Sequence, residues 1–273
     1  MTTQLEKGKI FRALHKRDDA FIIPNPYDIG TARLLAHLGF EALATTSAGF
    51  AFTVGRRDNT VDRERVMRHV ADIVSATDLP VSADLGNCFG DAPETVAETI
   101  QMAAATGLVG GSVEDMTGNS DNPIYDFDFA VERVRAAAEA AHSLPFDFTL
   151  TARAENYLVG RADLADTIKR LQAYAEAGAD VLFAPGLTKI EDIASLVKAV
   201  DRPINVIMGL QSVRLNLAEL SEIGVKRISV GSALSRVALG AFLRAAQEMK
   251  THGTFTFADE AVSFREISDM FKP

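Results

Sequence analysis

The feature that most restricts this chain is a unit that recurs along it: the tail of an amphipathic helix, a glycine, then a short buried run. It is seen as AHLGFEAL, AATGLVGG, AEAGADVL and SEIGVKRI. Gly39, Gly107, Gly178 and Gly224 each stand where a helix is expected to stop in left-handed backbone, a conformation open to a residue without Cβ. Beyond each glycine the spacing changes from helical to a continuous apolar run, as a strand covered on both faces requires. Such runs give eight predicted strands, at 21–24, 42–46, 80–84, 108–114, 148–153, 181–184, 204–208 and 227–230. Strands separated by helices pair in parallel, because a parallel crossover needs an intervening segment of that length. The predicted fold is therefore α/β, a (β/α)8 barrel of TIM type, with an open doubly wound sheet as its alternative. No stretch rich in Pro, Ser or charge divides the sequence, so residues 1–273 are expected to form a single barrel domain, with 251–273 as a C-terminal helical extension.

The chemistry of such a barrel is expected at the carboxyl ends of its strands. PVSADLGNCFGD delivers Asp84 there, LVGGSVED delivers Glu114 and Asp115, and FTLTAR delivers Arg153. A charge that ends an apolar run has to be paired, solvated or bound to a ligand. Asp84 and Glu114 suit Mg²⁺, which takes hard oxygen donors, commonly one or two carboxylates with waters and substrate oxygens. The competing reading has each carboxylate capping the next helix or pairing with Arg153. Arg153 itself suits a substrate carboxylate through its planar fork, or else serves Glu114 or Glu155 as a structural partner. The loop TTSAG, with Thr46, Ser47 and Ala48, offers N–H groups and a hydroxyl to an oxyanion or carboxylate, or simply makes a tight turn into a helix. Farther on lie Arg56, Arg57 and Asp58 in a long loop, and the eighth strand runs into ISVGSALSR, where Ser232 opens a short phosphate-cradle pattern.

Other chemistries are disfavoured. None of His15, His37, His69, His142 and His252 falls at the carboxyl end of a predicted strand, which argues against histidine acid–base catalysis and a His-ligated zinc. Cys88 is the one cysteine, so no internal disulfide or Cys-cluster metal site is possible, and nothing near it in sequence lowers its pKa. A net charge of −9 without a basic stripe argues against a nucleic-acid partner. No apolar run approaches the roughly 20 residues of a membrane span, and the N-terminus lacks the apolar segment of a secretory signal, so a cytoplasmic location with no membrane partner is expected. Two helices, at 234–250 and 259–270, follow the last strand where a simple barrel needs one. The apolar side of the second (Val262, Phe264, Ile267, Phe271) is expected to cover its own barrel or a neighbour's.

Taken in order, these residues resemble the isocitrate lyase and phosphoenolpyruvate mutase superfamily, from NPYDIGTARLLAHLGF to GVKRISVGSALSRVALGAF. The most specific pieces are TTSAGFAFTVGRRDNT, ADLGNCFGD, GSVEDMTG and TARAENYLVGR. The resemblance implies a barrel whose last helix is exchanged with a neighbouring subunit, hence a homodimer or homotetramer. It implies Mg²⁺ near Asp84 and Glu114, a small carboxylic acid gripped by Arg153 and the Thr46, Ser47, Ala48 loop, and Asp58 reaching in as a catalytic group. The implied activity is that of a lyase or decarboxylase acting on a 2-oxo or dicarboxylic acid through an enolate-like oxyanion. Two departures stand out. Where the superfamily pattern has a second acid two positions past the first, this chain has Gly86, and the Lys-Lys-Cys-Gly-His signature of the lyase branch is replaced by EDMTGNSDNPIYDF. Two other functions stay open: a phosphonate P–C mutase or hydrolase, with Asn119 or Asn122 near the phosphoryl group, and a barrel that binds an acid without turning it over.

Overall fold

The structure is a computed structural model and describes residues 2–271. Its eight strands are β1 (Phe21–Ile23), β2 (Leu43–Ala44), β3 (Val81–Ala83), β4 (Gly110–Glu114), β5 (Thr149–Arg153), β6 (Val181–Phe183), β7 (Ile204–Ile207) and β8 (Arg227–Ser229). All lie within the predicted runs. They form one parallel sheet in which sequence neighbours are spatial neighbours from β2 to β8, and β8 pairs with β1. The remaining seam, between β1 and β2, is bridged by Ala44 N–H donating to Pro24 O at 3.1 Å and by Asn25 Nδ2 donating to Thr45 O at 3.0 Å. The sheet is thus a nearly closed (β/α)8 barrel, and the open-sheet alternative falls.

Around it stand α1 (Gln4–Leu14), α2 (Ile29–His37), α3 (Ser47–Thr53), α4 (Arg63–Ser75), α5 (Pro93–Ala105), α6 (Phe127–His142), α7 (Leu164–Glu176), α8 (Ile190–Ala199), α9 (Leu217–Glu222) and α10 (Ala233–His252). A 3₁₀ turn (Thr256–Glu260) and α11 (Phe264–Asp269) complete the chain. The four glycines of the repeated unit have φ of 85, 98, 110 and 92°, the left-handed values expected of helix stops. The main core lies between helices and sheet; alanines at Ala103, Ala104, Ala137, Ala138 and Ala141 are buried there and bring α5 close to α6. A smaller cluster closes the amino end of the barrel, where Phe11 and Leu14 of α1 meet Phe21, Ile23 and Val109.

The C-terminal region departs from expectation. Residues 259–270 do not form one helix: Ala261 is extended (φ −74°, ψ 138°), and Ser263 starts α11 afresh by accepting the N–H of Glu266. The segment between α10 and the 3₁₀ turn is pinned by the Glu248 carboxylate, which accepts from Thr254 Oγ1, Thr256 N and Phe257 N. Ser235 is the one buried residue of α10, while Val237, Phe242 and Leu243 are each 65–70% exposed. Among the described residues no helix is long and apolar enough to cross a membrane.

At the barrel floor His15 ends α1, with Nδ1 donating to Phe11 O at 2.8 Å and Nε2 left to accept from Arg227 Nη1 at 3.4 Å. Burial, and then the Arg227 charge, push its pKa down from 6.5 to about 3. The unfolded chain therefore holds an extra proton between those values, so this contribution to stability is complete above pH 6.5 and is lost as pH falls. Between pH 7 and pH 5 the wild type is expected to lose about 2 kcal/mol more than His15→Gln. Urea unfolding of both at the two pH values tests this, and parallel losses would show that His15 titrates normally.

Candidate active site

Arg153, the last residue of β5, is placed by strand register beside Glu114, the last residue of β4. Its Nη1 lies 2.9 Å from Asp84 Oδ1 and 3.2 Å from Glu114 Oε2, and its Nε donates to Glu155 Oε1 at 2.8 Å. Asp58, in the exposed α3–α4 loop, lies near enough to this group to interact with Asp84, Glu114 and Arg153. Three carboxylates therefore share one guanidinium, whose charge also reaches Asp58. Burial raises the pKa of Glu114, with Glu155, Asp84 and Asp58 adding to the effect and Arg153 opposing it. Glu155 is likewise raised, by burial first and then by Asp115 and Asp84, against Arg153; its Oε2 is buried without a hydrogen-bond partner. Asp58 shifts upward too: partial burial and the Asp84 charge outweigh the Ser47 hydroxyl, the Asn59 N–H and Arg153. For Arg153, the carboxylates more than offset the lowering by burial, so it stays charged.

The surrounding backbone fixes these groups. The Asp84 carboxylate accepts the N–H of Ser47 at 3.1 Å and of Gly86 at 3.3 Å, while Asp84 N–H donates to the buried Thr45 hydroxyl. Asp115 is wholly structural: its carboxylate accepts from Glu155 N, Tyr174 Oη and Arg170 Nη1, and so locks the start of the loop after β5. The loop between β3 and α5 is held by Arg133, which donates to the carbonyls of Asn87, Gly90 and Asp91 and lies 4.2 Å from the Tyr125 ring centre. That loop carries Cys88 and Phe89 in left-handed backbone, both with φ 62°. Cys88 is fully buried, and burial drives its thiol to about 12, so it is inert as the sequence implied.

The sequence-predicted residues meet unevenly. Asp84, Glu114, Arg153, Asp58 and the Ser47 backbone converge. The Thr46 hydroxyl caps α3 by accepting Gly49 N–H, the tight-turn role, and Ala48 is part of the first turn of α3. Ser232 precedes α10 without making a capping bond and lies outside the walls of both cavities at the mouth. The full bidentate fork expected of Arg153 is not free, because Nε and Nη1 are already taken; Nη2 remains for a ligand. Sequence reasoning passed over Asn25, whose Oδ1 accepts Val230 and Gly231 N–H and ties β1 to the loop after β8, and it passed over Arg133 and Arg227. A polar residue at a buried position was the signal available for each.

A cavity of about 570 Å³ opens beside the cluster, with Ser47, Asn59, Asp84, Gly86 and Asn87 in its wall. A second, of about 120 Å³, leads from Asp84 and Arg153 down the barrel. The family model for phosphoenolpyruvate phosphomutase matches residues 11–250. The chain belongs to this family. A crystal structure from Burkholderia cenocepacia J2315, whose description stops at lyase/mutase, is 62% identical with a TM-score of 0.97, covering 99% of this chain and 97% of that one. A 2,3-dimethylmalate lyase structure is 26% identical with a TM-score of 0.85, covering 99% of this chain and 95% of the other. The 2-methylisocitrate lyase of Escherichia coli K12 is 29% identical over 72% of this chain and 68% of its own length. Lyases are therefore among the relatives of this barrel.

The Mg²⁺ implied by the sequence resemblance would meet the carboxylates of this cluster. All are hard carboxylate oxygens, and at Glu114, Glu155 and Asp58 burial, then neighbouring carboxylates, raise the pKa despite the one guanidinium. No cluster of three or more His, Cys, Asp or Glu poised to hold an ion is formed among the described residues. An ion bound by one or two carboxylates and completed by water fits this arrangement. Arg153→Lys is expected to be far from conservative, since one ammonium cannot reproduce the Nε and Nη1 contacts together. Calorimetry should show oxalate, a mimic of the pyruvate enolate, bound about 1.5–3 kcal/mol more weakly. Equal affinities would reduce Arg153 to a structural role.

Proposed function

We propose that this protein is an Mg²⁺-dependent lyase or decarboxylase that breaks a C–C bond of a small 2-oxo or dicarboxylic acid through an enolate-like intermediate. The observation that carries the reading is the cluster of three carboxylates around Arg153, with Asp58 nearby, beside an open cavity of about 570 Å³. Asp84 and Glu114 would hold the ion. When bound, Mg²⁺ supplies Lewis-acid charge that lowers the cost of negative charge on a substrate oxygen. Arg153 Nη2 offers a donor to a substrate carboxylate, and the start of α3 at Ser47 orients the acid next to Asp84. Asp58, with its raised pKa and its place near the cluster, is suited to take or return a proton.

The loop after β4 shapes the substrate class. It closes on itself through the Met116–Ile124 bridge and a Thr117 Oγ1 bond to Asn122 O, and it carries neither lysine nor cysteine. Cleavage of 2-methylisocitrate with a loop cysteine as acid is therefore disfavoured despite the E. coli relative, and Cys88 is too deeply buried to stand in. The phosphonate reading has less support, because Asn119 Oδ1 accepts from Asp121 N and Asn122 O accepts from Thr117, leaving both in an exposed, self-bonded loop. The exposed apolar residues of α10 favour a homo-oligomer in which this helix is covered by a second copy.

Turnover of a panel of 2-oxo acids, dicarboxylic acids and phosphonates, with Mg²⁺ affinity measured with and without oxalate, tests the reading. Asp84→Ala should abolish metal binding and turnover in a folded protein. Asp58→Asn should lower kcat by about 10²–10⁴-fold while oxalate and Mg²⁺ still bind. Oxalate binding that ignores Mg²⁺, with no substrate turned over, would leave a binding protein in place of an enzyme.

Gly86 offers a separate check. Its φ is +55°, and a Cβ there would lie 3.6 Å from Asn59 Oδ1 and 3.9 Å from Glu114 Oε1, so there is room but some backbone strain. Aspartate tolerates left-handed backbone better than glutamate. Gly86→Asp is therefore expected to fold at a cost of about 1–2 kcal/mol and to raise Mg²⁺ affinity about 10–100-fold by adding an acid beside Glu114. Unchanged affinity in a folded variant would show that the site lacks nothing for want of that acid.

A further inference from the structure

Barrels of this type usually fill their lumen with layers of bulky branched side chains. Below the mouth of this one is instead a cavity of about 120 Å³ whose wall, though mostly apolar in area, includes the small polar side chains of Ser82, Ser112, Thr151, Asn205 and Ser229, with Arg227 at its lower end. Arg227 is 6% exposed. Its Nε donates to Asn205 Oδ1 at 3.0 Å, Nη2 to Thr151 Oγ1 at 2.8 Å, and Nη1 faces His15 Nε2 at 3.4 Å. All three partners are neutral. Among the described residues it forms no ion pair, in contrast to Arg153, two residues beyond Thr151 on β5. Burial alone lowers its pKa to about 9, which leaves it positive at neutral pH.

A buried cation without counter-charge is costly, by several kcal/mol per ion. Two of the five guanidinium N–H groups are left over after the three contacts above. The Ser112 hydroxyl, in a residue 8% exposed that faces the same cavity, is buried without a hydrogen-bond partner. Ser112 and Thr151 are register partners on β4 and β5, so the orphaned hydroxyl and the Thr151 contact of Arg227 lie at the same height. We infer that the barrel lumen is a binding site for a small monovalent anion, a halide or a single carboxylate group, held between Arg227 and Ser112. A lone guanidinium matches one negative charge. The volume, about four times the roughly 30 Å³ share of a water molecule, admits such a group with a water or two and little more. The site does not depend on the catalytic reading, and its test needs no turnover.

Thermal unfolding of the full chain, at fixed ionic strength and fixed Mg²⁺, compares chloride, bromide and formate with gluconate, which is too large to enter. Chloride, bromide and formate should raise the midpoint of the wild type by roughly 2–4 °C once they exceed their dissociation constants. Arg227→Met should abolish the rise, and Ser112→Val, which leaves the bonds of Arg227 in place, should reduce it. Crystals grown in bromide should show an anomalous peak within hydrogen-bond distance of Arg227. If saturating oxalate or malonate removes the halide response, the occupant is the carboxylate arm of an acid bound at the mouth; if the response survives, it is a free inorganic anion. Both results support the site. A wild type indifferent to the choice of anion, or a response unchanged in Ser112→Val with no bromide beside Arg227, overturns it.

Discussion

The contact of the Arg153 guanidinium with Asp84, Glu114 and Glu155 is what lets the mouth of this barrel exist. Removed from water, three carboxylates a few ångströms apart repel one another with little solvent to screen them. Arg153 lies close enough to oppose all three at once, and its planar shape allows Nε to serve Glu155 while Nη1 serves the other two. One positive charge is still too few. The upward shifts of Glu114 and Glu155 come first from burial and then from the remaining repulsion, and a bound divalent ion would offset that repulsion more completely than a proton does.

Holding such charges in place demands a rigid frame, and much of the polar chemistry outside the cluster supplies it. Asp115 spends its whole carboxylate on Glu155 N, Tyr174 and Arg170. Arg133 gives its donors to three carbonyls of one loop, whose left-handed Cys88 and Phe89 would otherwise relax. Asn25 ties β1 to the loop after β8 by accepting from Val230 and Gly231. Each of these groups serves one loop, so the carboxyl end of the barrel is held loop by loop, while the hydrophobic core fixes only the strands beneath.

This division explains what could be read in advance. The eight strands, the left-handed glycines and the convergence of Asp84, Glu114 and Arg153 follow from periodicity, because burial on both faces and a charge at the strand end leave local traces in the chain. The engaged state of the Arg153 fork is one of the two readings that the sequence leaves open: Glu155 lies two residues away, but whether it faces Arg153 or a ligand depends on Asp115 and Tyr174, which come from other elements. Arg133 and Arg227 look in sequence like any arginine in a helix or strand, and the absence of a counter-charge near Arg227 is visible only once the neighbouring strands are assembled. The break at Ala261 escaped notice because Ser263 was read as a helix interior when it is a cap.

Thr151 and Arg153 are two residues apart on β5, so the guanidinium crowded by carboxylates and the Thr151 contact of the guanidinium that has none are separated by about 7 Å along the strand. The cavity that links them is negative at its top and positive at its floor. A free dicarboxylate would be repelled at the entrance, and a bare metal ion would find no reason to go deeper. A small acid that enters with a divalent ion at one end meets both demands, since the ion offsets the upper carboxylates and a trailing anionic group faces Arg227. On the proposed reading, the polarity of the lumen would favour short acids bearing two separated oxygen-rich ends, and the limited volume below Arg153 would set the length of the lower one.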